Sequence, residues 1–178
     1  MCGIFAILNN PENIDNKEIN KNFQKGQNRG PEYSNFNTYK EYNITTGFHR
    51  LAINGTADFE KSNQPFFIKN CILICNGEIY NWKELFNILN IQSETGSDCE
   101  IIIHLYKKYG IEYTLQVLDG VFAFMLFDID SKDVYIARDT YGIRPLFYGK
   151  QGSWPSSFYF ASELKQLTHL VKNKINQF

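Results

Sequence analysis

The sequence predicts an α+β fold with mainly antiparallel sheets. Two observations carry that expectation. The apolar segments short enough to be strands fall in hairpin-like groups, and the segments with helical spacing cluster between those groups. The chain has 178 residues, 43% of them hydrophobic and 16% aromatic. That suffices for one domain burying roughly 70% of its unfolded surface, and it excludes a disordered tail protein. No repeat and no internal linker interrupts it.

Taken in order, residues 3–8 are continuously apolar and short, with two β-branched isoleucines, and read as a buried strand pinned near the N-terminus. Residues 9–43 are polar. They suit a helix from about Asn16 to Lys25 and then a loop with a sharp break at Arg29-Gly30-Pro31. Thr45 to Ile53 and Phe66 to Cys75 read as two strands able to pair antiparallel. Asn76-Gly77-Glu78 reads as a turn at the end of the second, a kind of place that often carries function. Residues 81–89 and 98–109 have helical spacing, with Ser97 as N-cap and Glu100 three residues on as a capping box, which puts Asp98 in the first turn. A third helix spans Glu112 to Leu118. Val121 to Phe127 is apolar at nearly every position, as in a strand buried on both faces. Val134 to Ala137, Leu146 to Tyr148 and Phe158 to Ala161 complete the strands, and Ser162 to Leu167 reads as a short helix. The polar, basic end around Lys172-Asn173-Lys174 reads as a frayed terminus or the start of a linker.

Eighteen basic and nineteen acidic residues leave a net charge of −1, with no general pull toward nucleic acid or an acidic membrane. No apolar run reaches the roughly 20 residues that cross a bilayer, and the start lacks the basic segment of a signal peptide. A cytoplasmic protein is expected. Its four cysteines, Cys2, Cys71, Cys75 and Cys99, form no CxxC pair and are expected as free thiols. Asn43-Ile44-Thr45 and Asn54-Gly55-Thr56 match the glycosylation sequon by chance in that setting. The chain contains neither GxGxxG nor GxxxxGK[ST], so no nucleotide site is expected. His49, His104 and His169 are too scattered for a metal site.

Three groups of residues suit chemistry. Removal of Met1 before a small residue leaves Cys2 with a thiol and a free α-amino group. The reference pKa values, about 7.7–8.0 for the amine and about 8.5 for the thiol, let that amine accept the thiol proton near neutrality. Nucleophile and base then share one residue. The Asn76 side-chain amide beside the Gly77 N–H offers two donors to an oxyanion. Arg50 and Asp98 form a cation and anion able to clamp the α-carboxylate and α-ammonium of an amino acid. Singly, each also has an ordinary reading: an accident of the terminus for Cys2, a hairpin turn for Asn-Gly, and surface ion pairs for Arg50 and Asp98.

Together these residues sit in ordered blocks. They are Met1-Cys2-Gly3-Ile4-Phe5, Arg29-Gly30-Pro31, Gly47-Phe48-His49-Arg50-Leu51-Ala52, Asn76-Gly77-Glu78-Ile79-Tyr80-Asn81, Asp98 before Glu100-Ile101-Ile102, Leu118 to Phe124, Arg138-Asp139, and Gly142-Ile143-Arg144-Pro145-Leu146. Over residues 1–168 the order resembles that of class II glutamine amidotransferase domains, and most of all the glutaminase half of glutamine-dependent asparagine synthetases. Residues 169–178 are left as a polar tail or linker. The resemblance implies an N-terminal-nucleophile hydrolase fold, a four-layer αββα sandwich with two stacked antiparallel sheets. It further implies that Cys2 is the nucleophile and that Asn76 and Gly77 form the oxyanion hole. Arg50 would hold the glutamine carboxylate, and Asp98 and Glu78, or the Glu78 backbone, would face the amino end, with the backbone around Ile53 lining the pocket. L-Glutamine would be hydrolysed to glutamate and ammonia through a glutamyl thioester, with the ammonia passing to a synthetase domain or partner chain for asparagine synthesis from aspartate. No cofactor is expected in this chain, since ATP and Mg belong to the synthetase domain.

The chain departs from the family pattern where His and Asp usually flank Arg-Gly-Pro, having Asn28 and Glu32 instead. Nothing after Ala161 resembles the ATP-binding loop of a synthetase domain. The alternative function is therefore a catalytically silent remnant that binds glutamine or a partner chain.

Overall fold

The computed structural model describes residues 2–10, 14–53, 60–153 and 155–178. In chain order the elements are β1 (Gly3–Leu8), α1 (Asn16–Gln24), β2 (Tyr33–Tyr39), β3 (Ile44–Arg50), β4 (Phe66–Ile68), β5 (Cys71–Ile79), α2 (Trp82–Leu89), α3 (Ile101–Val117), β6 (Gly120–Asp128), β7 (Val134–Arg138), β8 (Phe147–Gln151), β9 (Ser157–Ala161) and β10 (Ile175–Gln177). Short 3-10 turns lie at Gln27–Arg29, Lys40–Tyr42, Asp98–Glu100 and Leu164–Gln166. The chain forms two compact units, Met1–Leu51 with Arg144–Phe178, and Ala52–Ile143. The expected α+β class is present, with two antiparallel sheets, one in each unit.

The first unit holds a six-stranded sheet in the order β10-β8-β9-β1-β3-β2. The apolar run 3–8 takes an interior place, paired with β3 from Gly3↔His49 to Leu8↔Ile44 and with β9 from Phe5↔Ala161 to Leu8↔Phe158. Alternate residues Phe5 and Ile7 meet Ile19 and Phe23 of α1 in a core that also takes in Tyr159, Leu167 and Leu170, as the period of two requires. Asp15 caps α1 by accepting from the Lys17 N–H at 3.2 Å, so the helix starts where expected. Gly47 has a steric purpose: a Cβ there would collide with the Phe23 ring. The ring also stacks on His49 at 3.9 Å.

Three expectations for this unit are corrected. The strand from Thr45 ends at Arg50 and pairs with β1 and β2, not with the segment beginning at Phe66. Residues 33–39, read as loop, form β2. Its sequence Tyr-Ser-Asn-Phe-Asn-Thr-Tyr is polar because it is a sheet edge, mostly half-buried. The terminal stretch 169–178 is not a free tail. Leu170 and Val171 are buried, and β10 adds an edge strand to β8.

The second unit holds a four-stranded sheet, β4-β5-β6-β7. The segment 66–75, expected as one strand, folds back on itself because Lys69 and Asn70 both take positive φ, 49° and 57°, the two-residue hairpin geometry that matches strand twist. One sheet face, with Leu73, Cys75, Phe124 and Leu126, packs against Leu85 and Phe86 of α2 and Ile101, Ile102 and Leu105 of α3. Ile72, Ile74, Ala123 and Met125, on the other face, are equally buried. The helices expected at 98–109 and 112–118 run on as α3 across a kink at Gly110, φ 82°. Asp128, at the end of β6, accepts from Tyr106 at 2.8 Å and Lys107 at 3.0 Å, fixing that helix to the sheet. No helix among the described residues is long and apolar enough to cross a membrane.

Candidate active site

In the first unit the candidate residues gather where β1 begins. Cys2 is half-buried, its thiol reaching the Leu51 carbonyl at 3.5 Å, while its own carbonyl accepts from the Arg29 Nε–H at 2.9 Å. The register that places Gly3 opposite His49 leaves Cys2 beside the end of β3, where Arg50 stands. Arg50 is only 3% exposed. Burial pulls its pKa below the ordinary value, and the charges of Cys2 and Glu32 oppose that shift. A guanidinium in such surroundings favours an anionic partner.

The Arg29-Gly30-Pro31 turn is built onto this strand end. Pro31 bridges Arg50, the Glu32 N–H donates to the Arg50 carbonyl at 3.2 Å, and Arg29 pairs with Glu163 at 3.7 Å. The turn acts through Arg29 and through Gly30, which fits against the backbone of His49 and Arg50. Asn28 and Glu32 have exposed side chains, so both departures fall outside the packed part of the turn. His49 behind them is fully buried and satisfied, its ring nitrogens 2.7 Å from Ser34 Oγ and 3.0 Å from the Phe23 carbonyl. Burial holds its pKa below the usual histidine value, against the opposing Phe23 carbonyl and Glu163 charge.

In the second unit Asn76, Gly77 and Glu78 lie inside β5, opposite Ala123, Phe122 and Val121. The expected turn is therefore an interior strand segment. No hairpin forms there because Gly77 packs its backbone against Phe122 and the Val121 carbonyl, where a Cβ would find 2.8 Å and 2.9 Å contacts. Asn76 is 1% exposed, and its Nδ2 is buried with no hydrogen-bond partner among the described residues. A buried donor left in that state costs about 1–3 kcal/mol. Asp98 is buried, and its Oδ2 accepts from the Ile79 N–H at 2.7 Å, which ties it to the end of β5 beside Glu78. Cys99 reaches both the Gly77 carbonyl and Asp98 Oδ2 at 3.9 Å. Asn76, Gly77, Glu78 and Asp98 are thus brought together by one strand end and one helix start. Ile53 is 58% exposed and precedes residues 54–59, which, with Asn54-Gly55-Thr56 among them, lie outside the described residues, as does Met1.

Ser97 caps the turn at Asp98 as expected, accepting from the Cys99 N–H, but the capping box does not form. The Glu100 carboxylate turns inward, where Ser93, Glu94, Thr95 and His104 all donate to it. Burial alone raises its pKa, yet the bonds from His104, Ser93, Thr95 and Glu94 outweigh burial and bring it to about 2. Glu94, Glu100 and His104 place ligand-type atoms within 4.8 Å of one another. With both Glu100 oxygens already accepting, the group is a hydrogen-bonded anchor. Sequence reading missed this role of Glu100. It also missed Gln64, whose carboxamide donates to the Cys75 carbonyl at 3.1 Å and accepts from the Cys75 N–H, one residue before Asn76. Nothing local in the sequence signals Gln64, because its partner is eleven residues away on a strand.

In the first unit a buried cation stands beside a cysteine near the N-terminus, and in the second a buried amide with no hydrogen-bond partner among the described residues stands with a carboxylate at a strand end. Residues 1–177 match the family model described as glutamine amidotransferase domain, and the chain belongs to that family. It is similar to the glutamine-hydrolysing asparagine synthetases of cattle and human, each 42% identical over 151 residues, and to that of chicken, 41% identical over the same length. The match takes in 83% of this chain and 26% of each relative, so the chain spans about a quarter of the length of the curated relatives it matches.

Proposed function

We propose that this domain hydrolyses the side-chain amide of L-glutamine through Cys2 and supplies ammonia for asparagine synthesis. After loss of Met1, the α-amino group of Cys2 takes the thiol proton, and the thiolate attacks the amide carbon. The negative charge that develops on the amide oxygen is met by the Asn76 amide and the Gly77 N–H. The C–N bond then breaks, the leaving nitrogen takes the proton held by the amine, and ammonia departs. Water attacks the resulting glutamyl thioester, releasing glutamate and restoring the thiol. Arg50 binds the α-carboxylate, Asp98 and Glu78 bind the α-ammonium end, and the backbone around Ile53 lines the pocket. The observation that carries this reading is the buried Asn76 amide, which has no acceptor among the described residues. An oxyanion would complete it, so its stabilisation is reserved for the transition state.

The ammonia acceptor is an activated aspartate in a synthetase domain or chain, and ATP and Mg act there. On the same reading the protein works in the cytoplasm, where its four cysteines stay reduced. Asn76→Ala tests the assignment. The expected result is a fall in kcat of about 100- to 1000-fold with little change in KM. An unchanged kcat removes Asn76 from the mechanism.

A further inference from the structure

We propose that Glu100 is the positioning residue that sets glutamine affinity, by fixing the loop that carries Asp98. This rests on the reading of Asp98 as the ligand of the substrate ammonium. The loop of residues 91–97 runs from α2 to the 3-10 turn at Asp98, and its one apolar residue, Ile91, is only half-buried. Apolar packing therefore anchors only its first residue, Ile91, against the core. Polar bonds hold the rest, and they converge on one carboxylate. Glu100 Oε2 accepts from Ser93 Oγ at 2.6 Å, from Thr95 Oγ1 at 2.6 Å and from the Thr95 N–H at 2.7 Å, while Oε1 accepts from the Glu94 N–H at 2.9 Å and from His104 Nε2 at 2.9 Å.

From these bonds the constraint passes directly to Asp98. Thr95 Oγ1 accepts from the Ser97 N–H at 3.1 Å, and Ser97 Oγ accepts from the Cys99 N–H at 3.3 Å, bracketing Asp98 on both sides. The carboxylate of Asp98 is then held on the Ile79 N–H. Glu100 is fully buried, and a charge in that position is tolerated only where donors surround it. Its five donors come from the loop and from α3, so the charge acts as a rivet between them. The bonds of this network lie among residues 93–104 and meet β5 at the Ile79 N–H, three residues beyond Asn76. Its effect is therefore on where the ammonium ligand sits, and it falls on binding more than on the chemical step.

The test compares L-glutamine with glutaramate, the same amide lacking the α-ammonium group, as substrates of the full chain carrying Glu100→Gln, Thr95→Val or Asp98→Asn. Glu100→Gln is expected to raise KM for glutamine about ten-fold with kcat within about three-fold, and Thr95→Val to move KM the same way by about three-fold. Glutaramate turnover should be indifferent to Glu100→Gln and to Thr95→Val. If Glu100→Gln does not fold, Thr95→Val decides by the same criteria. An equal loss on both substrates means a general structural role and overturns the proposal. So does a glutamine KM that only Asp98→Asn shifts. If Asp98→Asn itself leaves KM unchanged, the reading of Asp98 fails, and the positioning role fails with it.

Discussion

Gly30→Ala is the substitution whose consequence is worked most directly from the structure. A Cβ at Gly30 would stand 2.5 Å from the Arg50 nitrogen and closer still to the carbonyl carbons of His49 and Arg50. Ordinary contact begins near 3.4 Å, so turn and strand must separate by about 1 Å, and the neighbours are backbone, which cannot rotate away. Overpacking of this kind costs about 1–3 kcal/mol. The separation also strains the bonds from Glu32 to Arg50 and from Arg29 to Cys2, which places the expected loss at the upper end, about 3 kcal/mol. For a domain of this size each kcal/mol lowers Tm by about 2–4 °C, giving a fall of about 6–12 °C. A displacement near 1 Å at Arg50 should also cost on the order of 100-fold in kcat/KM for glutamine. The assays are a thermal melt and glutamate release. Gly152→Ala, at φ 82° with open space around the new methyl, separates backbone strain from collision. A Gly30→Ala protein that melts within about 1 °C of wild type and keeps its kcat/KM refutes the packing argument.

Other perturbations test separate parts of the structure. Gln64→Ala leaves the N–H and carbonyl of Cys75 without their buried partner. It should cost about 2–4 kcal/mol in urea unfolding, and a loss below about 0.5 kcal/mol would contradict the pairing. Stability should fall in acid. Glu100 lies at about 2 when folded against an ordinary 4.5, so its contribution is complete above pH 4.5 and is lost as pH falls from there toward 2, about 3 kcal/mol in all. Glu100→Gln should lose less stability than wild type over that interval, and parallel pH profiles would contradict the assignment. His49, held neutral by burial, adds to the loss in the same direction, beginning below about pH 6.5. A His49→Gln profile that keeps the same slope there would show that another group titrates.

The legible parts of the fold were those where one physical signal dominates. The apolar runs became β1 and β6, α1 started where expected, and Ser97 capped its element as expected. What stayed hidden depended on distant partners. β2 and β10 are edge strands, and an edge strand carries too little apolar alternation to stand out from loop. Asn76-Gly77 has the composition of a turn, and only the closeness of Phe122 and Val121 to Gly77 explains why it lies inside a strand. Glu100 three residues after Ser97 has capping-box spacing, but donors from the preceding loop drew its carboxylate inward. Of the candidate residues, Asn76, Gly77, Glu78 and Asp98 share one strand end, and Arg50 lies beside Cys2. Arg29 belongs to the Arg29-Gly30-Pro31 motif, yet its role is invisible in the sequence, because its contact is with the Cys2 backbone and no residue type announces that.

The central claim is that Cys2, with its own α-amino group, carries out glutamine hydrolysis. The most direct measurement is glutamate release from glutamine by protein whose intact mass shows that Met1 has been removed. It is made beside Cys2→Ala and beside a form carrying one extra residue ahead of Cys2. The account predicts turnover in the processed protein alone, with Cys2→Ala folded but inactive and the extended form silent because its base is tied up as an amide. Full activity in the extended form, or turnover that survives Cys2→Ala, would contradict it.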